Sequence, residues 1–452
     1  MNKKITVSDV LRVCNGKMFR GNESLELEDF SKDTRTIRSG EVYVGIKGEN
    51  FDGNKYFKEA INKGAIACIL DNSVNEDEIR DYDNIILVDN TIIALQEIAK
   101  YKRSLYDIPV VAVTGSVGKT STKDIIYSVL STKYNVLKTE GNNNNHIGLP
   151  LTILKLKDHD AMVVEMGMNH FGEISLLSNI AKPTIAVITN IGTSHIGILG
   201  SRENILKAKL EILDGMSKDG LIIVNNDNDL LNKWKNENVT KYNIRTYGIE
   251  NESDYFAYDI NIGENISTYF INNKKVTLNL PGKVFIYNSL CAIAVGDKLG
   301  ISLDDMIDGL KNVSLTKRRM EIIEKDGIKI INDAYNSSYD SLKASIEYLN
   351  KVSGDRKIAV LGDMLELGDY SKELHEKVAD VLYENKVDIL ITVGKYVSYM
   401  ADKAIELGLK EVYKCMNNQE AIDKVKILKK GGDVILVKAS NSMKFDEIVK
   451  NI

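Results

Sequence analysis

The stretch "VVAVTGSVGKTSTK" (residues 110–123) runs from an apolar segment through a glycine turn to a lysine and a threonine. A phosphate-binding loop usually places four residues between its first glycine and its Gly-Lys pair. Here only Ser116 and Val117 separate Gly115 from Gly118. The stretch is therefore either a nucleotide site with a shortened loop or a glycine turn that resembles one.

The sequence on both sides of this loop favours a nucleotide site. Apolar residues recur at helical spacing over residues 125–130, and Thr120 and Ser121 stand where that helix begins. Backbone N–H groups from Gly115 to Lys119 could converge on phosphate oxygens at the positive end of the helix. Lys119 adds a charge and Thr120 a hydroxyl for Mg²⁺, which a plain glycine turn does not explain.

Similar apolar runs recur along the chain, each followed by glycine or polar residues and most separated by segments of helical spacing. They include "AMVVEMG", "TIAVITNIG", "KIAVLGD", "DILITVG" and "DVILVKAS". This pattern predicts an α/β fold with parallel strands buried on both faces. Ligands of such sheets bind beyond the carboxyl ends of the strands, so the polar residues there are candidates for a site.

A length of 452 residues corresponds to roughly three domains of about 150 residues each. We predict a small α/β domain over residues 1–107, a central ATP-binding parallel-sheet domain over 108–314 and a Rossmann-like domain over 315–452. The net charge of -5 gives no electrostatic footprint for nucleic acid or an anionic membrane. We therefore expect a small-molecule substrate.

No signal peptide or membrane-spanning run is visible, so a cytoplasmic location is the default expectation. We also expect a monomer. The four cysteines are far apart and form no Cys-x-x-Cys pair, which predicts reduced thiols, mostly buried.

Two polar residues at strand ends are candidate Mg²⁺ ligands. Glu165 directly ends the run "AMVVE", where the alternative is a glutamate that turns out to solvent. His195 follows "TIAVIT" in "NIGTSHIG" and reaches the same edge of the sheet, although a lone histidine is more often structural. The segment around His375 is charged and predicts a solvated histidine.

Basic residues on two further segments have equally plain alternatives. Lys207 and Lys209 in "ENILKAKLEI" are by default solvated lysines of an amphipathic helix. Arg319 in "LTKRRME" is either part of a basic surface or, at the expected domain boundary, a residue that reaches a bound nucleotide.

Taken together, these segments resemble the Mur ligase family, ATP-dependent amide ligases that assemble the peptide of peptidoglycan precursors. The resemblance rests on "TGSVGKTSTK", "TEGNNNNHIGLPLTIL", "VVEMGMNHFGEIS", "NIGTSHIGILGSRENILKAKLEI" and "VILVKASNSM" in the family's order and spacing. "DAYN" and "GDMLELG" resemble the branch that adds D-alanyl-D-alanine to UDP-N-acetylmuramoyl-tripeptide. "SKDTRTIRSGEVYVGIKGENFDGNKYF" resembles its UDP-binding domain.

The resemblance implies roles for particular residues. It implies that Lys209 is carbamylated and joins Thr120, Glu165 and His195 as a Mg²⁺ ligand, and that Asn145 and His195 help to hold an acyl phosphate. It assigns the UDP-sugar to Asp33, Thr34 and Arg35. The implied catalytic residues are Lys119, Asn145, His195 and Lys209. The implied ATP-binding residues are Thr114, Gly115, Ser116, Val117, Gly118, Lys119, Thr120, Ser121, Asn288, Arg319, Asp333 and Asn336.

Two segments depart from the family pattern. Before Asn288, Phe285 and Ile286 stand where a polar pair is usual, and "KASNS" lacks the usual glycine and arginine. The expected function is ligation through an acyl phosphate, with ATP and Mg²⁺. Alternatives are another Mur-type ligase, such as one that extends folate with glutamate, and a nucleotide-binding paralogue without turnover. Whether the tripeptide ends in lysine or diaminopimelate stays open.

Overall fold

The structure is a computed structural model that describes residues 3–48 and 51–452. The chain divides into two compact units: Met1–Thr114 with Lys133–Val187 and Leu210–Leu221, and Gly115–Thr132 with Ile188–Lys209 and Ile222–Ile452. Both units combine helices with sheets of mostly parallel strands, so the predicted α/β fold is confirmed. The three domain boundaries remain a prediction.

The first unit contains a five-stranded sheet near the N-terminus. In spatial order its strands are Lys17–Met18, Ile85–Val88, Ala67–Asp71, Val42–Val44 and Phe30–Ser31. The first pair is antiparallel and the other pairs are parallel. A short ribbon pairs Ile5–Thr6 with Glu26–Leu27. The helices here are Val7–Cys14, Phe57–Asn62, Glu76–Ile79 and Thr91–Ser104.

The same unit contains parallel strands of the central region. Val110–Thr114 pairs with Ala161–Glu165, which pairs with Val136–Lys138, and all five residues of each of the first two strands are buried. Burial on both faces explains why these strands are continuous apolar runs. Ile185–Ile188 is a further strand, and the helices are Gly148–Leu154 and Glu173–Ala181.

The second unit begins with the helix Lys119–Leu130, against which the helix Lys283–Lys298 packs. Leu221–Asn225, Asn243–Gly248 and Tyr255–Phe256 are neighbouring strands in that order. A separate antiparallel sheet comprises Tyr258–Ile262, Ser267–Ile271 and Lys274–Leu278. The remaining helices of this part are Ile196–Leu199, Arg202–Leu210, Asp229–Asn238 and Leu303–Lys311.

The C-terminal part of the second unit is a six-stranded sheet. Its strands, in spatial order, are Glu321–Lys325, Ile328–Asn332, Val434–Lys438, Lys357–Gly362, Ile389–Val393 and Glu411–Cys415. Glu321–Lys325 is an antiparallel edge strand and all other pairs are parallel. The helices are Tyr339–Lys351, Ser371–Glu384, Ser398–Glu406, Asn418–Leu428 and Asp446–Asn451.

The cysteines are free thiols, three of them buried and Cys14 half-buried, as the sequence predicts. Among the described residues, no helix is both long enough and apolar enough to cross a bilayer.

His375 is fully buried, so the expectation of a solvated histidine is wrong. It occupies the apolar face of the helix Ser371–Glu384, where Nε2 accepts a hydrogen bond from Met364 N at 3.1 Å. Nδ1 lies 2.7 Å from the Ser371 carbonyl oxygen, which makes it the protonated nitrogen of a neutral ring. Burial lowers the pKa of His375 below its ordinary value of 6.5, and the Ser371 carbonyl and the Asp363 charge only partly oppose this shift.

A lowered folded-state pKa makes stability depend on pH. The unfolded chain takes up a proton near pH 6.5 and the folded chain resists it, so the free energy of unfolding should fall as pH falls through that value. The slope should reach at most about 1.4 kcal/mol per pH unit. In urea unfolding, His375→Gln should be less stable at neutral pH and should have a smaller slope. The variant His170→Gln changes an exposed histidine and should retain the wild-type slope. Equal slopes in the wild type and both variants would contradict the role of His375 in this pH dependence.

Candidate active site

The shortened loop is held from behind by the segment after the strand Ile185–Ile188. Ser116 N and Val117 N donate to the backbone and side-chain oxygens of Asn190, each at 3.0 Å. The Val117 carbonyl accepts from Thr189 Oγ1 at 2.7 Å and from Asn190 Nδ2 at 2.9 Å. Ser116 N and Val117 N therefore bond within the fold, and the convergence of N–H groups from Gly115 to Lys119 on a phosphate stays a prediction.

The helix N-terminus is the part of the loop that can receive an anion. Gly118 is the residue before the helix, has a φ of 85° and gives it no side-chain cap. The aligned peptide dipoles of a helix favour negative charge at this end. Lys119 Nζ donates to the Gly115 carbonyl at 2.9 Å, which folds its ammonium back over the loop.

Gly115 and Gly118 satisfy different constraints. Gly115 has a φ of 150°, and a β-carbon there would overlap the Thr189 side chain that holds Val117. A β-carbon on Gly118 would instead lie 3.5 Å from Asn288 Oδ1. Asn288 therefore stands directly beside the loop.

Among the described residues, buried side-chain atoms without a hydrogen-bond partner include Thr122 Oγ1, Asn288 Nδ2 and Arg319 Nε beside this loop, and His195 Nδ1 and Ser337 Oγ elsewhere. Buried polar groups are normally paired, so such atoms mark a place where a ligand would supply the partner. Asn288 and Arg319 are predicted nucleotide residues, whereas Ser337 is not and has only its position next to Asn336 as a signal.

Arg319 is not part of a basic surface, because its guanidinium points to the loop. Arg319 Nη2 donates to Thr120 Oγ1 at 3.2 Å, and the guanidinium carbon lies 3.8 Å from the centre of the Tyr335 ring. A guanidinium on an aromatic face keeps its edge donors available for phosphate.

Asp333 holds the residue next to this arginine. Its carboxylate accepts from Met320 N at 3.2 Å and Ser345 Oγ at 2.8 Å, and it pairs with Lys438. Lys438 is buried and also donates to the Asn336 carbonyl at 2.9 Å. Asn336 itself is exposed and accepts from Ser337 N. Lys438 was missed, although a lysine that ends an apolar strand in "VILVK" is the same signal that singled out Glu165.

Lys209 is 2% exposed, so the solvated alternative is wrong for it, while Lys207 is exposed as expected. Burial lowers the pKa of Lys209 well below its ordinary value, and the charge of Lys119 lowers it further. A lowered pKa favours the neutral amine, which is the form that reacts with CO₂.

His195 begins the short helix Ile196–Leu199 with a φ of 65°. Its side chain is mostly buried, and Nδ1 lies 2.6 Å from a carboxylate oxygen of Glu366. Both lie in the second unit, as do Lys119, Thr120, Lys209, Asn288 and Arg319.

In the first unit, Glu165 is 2% exposed, so the solvent-facing alternative is wrong for it too. Glu165 Oε1 accepts from Asn144 Nδ2 at 2.8 Å, and Glu165 N donates to Thr139 Oγ1 at 3.0 Å. Asn145 Oδ1 accepts from Ile147 N and Gly148 N at the start of a helix, which fixes its orientation. In the described part of the chain, no three His, Cys, Asp or Glu residues cluster as a metal site. Mg²⁺ bound with ATP uses few protein carboxylates, because phosphates and water complete its shell.

A second candidate site lies near the N-terminus of the first unit. Arg35 binds Asp33 through Nε at 2.9 Å and Nη2 at 2.6 Å, which lowers the pKa of Asp33 to about 2. Asp33, Thr34 and Arg35 line a cavity of about 500 Å³ together with Tyr43, Phe51, Tyr56 and others. Phe51 and Tyr56 stack with their ring centres 5.2 Å apart. Sequence reasoning missed this aromatic pair, which offers a flat apolar surface to a ligand ring.

The departures at Phe285 and Ile286 have a structural reason. Both side chains are buried in the helix Lys283–Lys298, and this helix still presents Asn288 to Gly118. In "KASNS", Ser440 accepts from Leu365 N at 2.9 Å. A shortened phosphate loop, a buried lysine with a lowered pKa and unpartnered polar atoms indicate a nucleotide-dependent enzyme.

Comparison with known proteins gives the family. Residues 31–103 match the Mur ligase family catalytic domain, residues 113–296 the Mur ligase middle domain and residues 318–441 the Mur ligase glutamate ligase domain. The UDP-N-acetylmuramoyl-tripeptide--D-alanyl-D-alanine ligase of Bacillus subtilis is 40% identical over 99% of this chain and 98% of its own. The ligase of the same name from Rickettsia prowazekii is 35% identical, over 95% and 96%.

Solved structures agree. MurF from Acinetobacter baumannii matches with a TM-score of 0.88 at 28% identity, covering 99% of this chain and 98% of that one. The MurF ligase from Thermotoga maritima in complex with ADP matches with a TM-score of 0.81 at 30% identity, covering 94% and 96%. The chain belongs to the Mur ligase family. Its predicted three-domain ligase architecture and its identification as a ligase are confirmed.

Gly115→Ala should weaken ATP binding at least tenfold, or about 1.4 kcal/mol, because its methyl group would displace the Thr189 hydroxyl that holds Val117. Isothermal titration with ATP measures this directly. Gly431→Ala is the control, since a β-carbon there meets open space. Equal affinities of the two variants would contradict the structural role of Gly115.

Proposed function

We propose that this chain joins D-alanyl-D-alanine to UDP-N-acetylmuramoyl-tripeptide in an ATP-dependent reaction of peptidoglycan precursor synthesis. The observation that carries the proposal is the full-length 40% identity to a ligase of that name. The arrangement of Lys119, Arg319 and Asn288 around one helix N-terminus supports it, because phosphoryl transfer depends chiefly on positioned charge.

The proposed reaction has two steps. A carboxylate oxygen of the tripeptide attacks the γ-phosphorus of ATP, and the bond from that phosphorus to the β,γ-bridging oxygen breaks. The products of this step are an acyl phosphate and ADP. The D-alanyl-D-alanine amine then attacks the acyl carbon, loses a proton and expels phosphate from the tetrahedral intermediate. Lys119 and Arg319 neutralise charge at the phosphates in the first step, and Asn145 and His195 hold the acyl phosphate.

ATP is proposed to bind through residues 114–121 together with Asn288, Arg319, Asp333 and Asn336. The hydrogen bonds indicate different roles for these residues. Asn288 and Arg319 have buried polar atoms that could bond to the ligand, whereas Asp333 accepts a hydrogen bond from Met320 N and fixes the backbone there. An ADP complex of a relative with 30% identity supports nucleotide binding.

We propose Mg²⁺ as the metal, with Thr120, Glu165, His195 and carbamylated Lys209 as its ligands. Mg²⁺ held there would offset the negative charge of the phosphates. An ammonium at Lys209 would repel it, whereas a carbamate supplies an oxygen on the same long stem. The lowered pKa of Lys209 supports this modification, because a neutral amine is the nucleophile toward CO₂.

The UDP-sugar is proposed to bind at Asp33, Thr34 and Arg35, where the Phe51–Tyr56 stack can contact the base.

We retain domains at 1–107, 108–314 and 315–452; family matches that end near these boundaries support them. Residues 315–452 are proposed to close over the nucleotide and exclude water, which would hydrolyse the acyl phosphate. We also retain a monomer in the cytoplasm.

Product analysis would distinguish the proposed reaction from two other candidate functions. A folate-extending ligase shares the fold, since a folylpolyglutamate synthase matches with a TM-score of 0.64 at 16% identity over 79% of this chain. A paralogue without turnover is favoured only by the apolar Phe285 and Ile286, and their burial gives those side chains a packing role.

Purified protein should release phosphate only when ATP, Mg²⁺, UDP-tripeptide and D-alanyl-D-alanine are all present. Mass spectrometry should identify UDP-N-acetylmuramoyl-pentapeptide, and parallel reactions with lysine- and diaminopimelate-containing tripeptides should show which one is used. Equal ATP turnover without peptide substrates, or glutamate addition to folate, would overturn the proposal.

Lys209→Ala should lose most ligase activity, with a loss of roughly 100-fold or more expected for a group that positions charge during phosphoryl transfer. A small added carboxylic acid should restore part of it by replacing the carbamate oxygens. The exposed Lys207→Ala is the matched control and should retain activity. An unaltered rate in Lys209→Ala would remove Lys209 from the mechanism, and loss without rescue would argue against the carbamate.

A further inference from the structure

The loop Asp363–Tyr370 contacts the segment that carries His195. Gly197 N donates to the Glu366 carbonyl at 3.0 Å, and Tyr370 Oη donates to the Gly200 carbonyl at 2.8 Å. A β-carbon on Gly197 would overlap the backbone of Leu367 and Gly368. The loop and the segment therefore meet backbone to backbone, which leaves little freedom between them.

Glu366 makes the side-chain contact of this junction. One of its carboxylate oxygens lies 2.6 Å from His195 Nδ1, although the ring is not aligned for a hydrogen bond. Glu366 and His195 both have a φ of 65°. A left-handed conformation is strained for a residue other than glycine and persists where surrounding contacts impose it.

The loop itself is firmly anchored. Asp363 accepts from Lys395 N at 3.1 Å and Val397 N at 2.6 Å. The next two backbone N–H groups donate to His375 and to Ser440 Oγ. Glu366 thus extends from a support that three successive residues fix to the C-terminal sheet region.

Asp340 holds the other end of the same segment. Its Oδ2 accepts from Thr193 N at 2.9 Å and from Thr193 Oγ1 at 3.1 Å. A β-carbon on Gly192 would overlap the Asp340 carboxylate. Asp340 therefore contacts the segment at Thr193, two residues before His195, and Glu366 contacts it at His195 itself.

We propose that Glu366 and Asp340 are positioning residues for His195. Glu366 contacts the ring at Nδ1, while Asp340 fixes the backbone that carries the ring. A carboxylate in contact with one nitrogen of a functional histidine orients the ring. The inference rests on the proposed role of His195 and adds that the C-terminal region determines the geometry of this residue.

Histidine-ring NMR of the full-length protein without ligands tests the contact independently of activity. The chain has five histidines, so a His195→Gln variant assigns the His195 signals by their loss. Glu366→Gln should shift those signals and leave the other four in place. Glu373→Gln is the matched control, because that exposed carboxylate pairs with Lys377 and should leave the His195 signals in place.

Kinetics then separates positioning from folding. Glu366→Gln should lower kcat about 10–100-fold, the usual cost of removing such a partner, with little change in KM or melting temperature. Asp340→Asn should lower kcat similarly and speed hydrogen exchange at Thr193, whereas the exposed Asp308→Asn should do neither. Unshifted His195 signals with wild-type kcat in Glu366→Gln would overturn the inference, as would a loss of activity explained by a lowered melting temperature.

The two proposals fail in different ways. If His195→Gln retains full ligase activity, the role proposed for His195 is wrong. If His195→Gln is inactive while Glu366→Gln and Asp340→Asn behave as their controls do, the role of His195 stands and the positioning inference alone is wrong.

Discussion

The bonds that Thr189 and Asn190 make to the Val117 carbonyl are the constraint on which the site depends. A loop with two residues fewer cannot wrap a phosphate with all of its backbone N–H groups. In this fold the N–H groups of Ser116 and Val117 donate to Asn190, so an anion would bind at the helix N-terminus. Cationic side chains must then supply what the missing backbone donors would have contributed. Lys119 and Arg319 lie where that charge is needed.

This concentration of positive charge has an electrostatic consequence. Burial lowers the pKa of Lys209, and the charge of Lys119 lowers it further. A second buried lysine, Lys438, pairs with Asp333, so its charge is compensated within the fold. The two buried lysines thus differ in their surroundings: Lys438 contacts a carboxylate, whereas the charge that acts on Lys209 is that of another lysine.

The features predictable from sequence are those that local patterns determine. Continuous apolar runs predicted the buried parallel strands, and the order of strand, glycine turn and Lys-Thr predicted the loop. Asn190 was not predicted as the partner of the loop, because its register against Val117 depends on how two strands pair. The antiparallel strands around Ser267–Ile271 were also missed because they are short and half polar, although the two-residue turn Asn272-Asn273 that follows Ile271 is a hairpin signal. His375 lay in a charged segment whose apolar face was overlooked.

One segment links these observations. Residues 189–200 begin with the two residues that hold the loop and continue to His195, so the phosphate loop and the histidine cannot move independently. Asp340 and the loop containing "GDMLELG" both contact this segment, and "GDMLELG" is the stretch that indicates which branch of the family the chain resembles. Residues that distinguish one branch would thereby act on chemistry that all branches share. If His195 has the role proposed for it, a loop that positions its imidazole would affect the acyl phosphate without contacting the substrate.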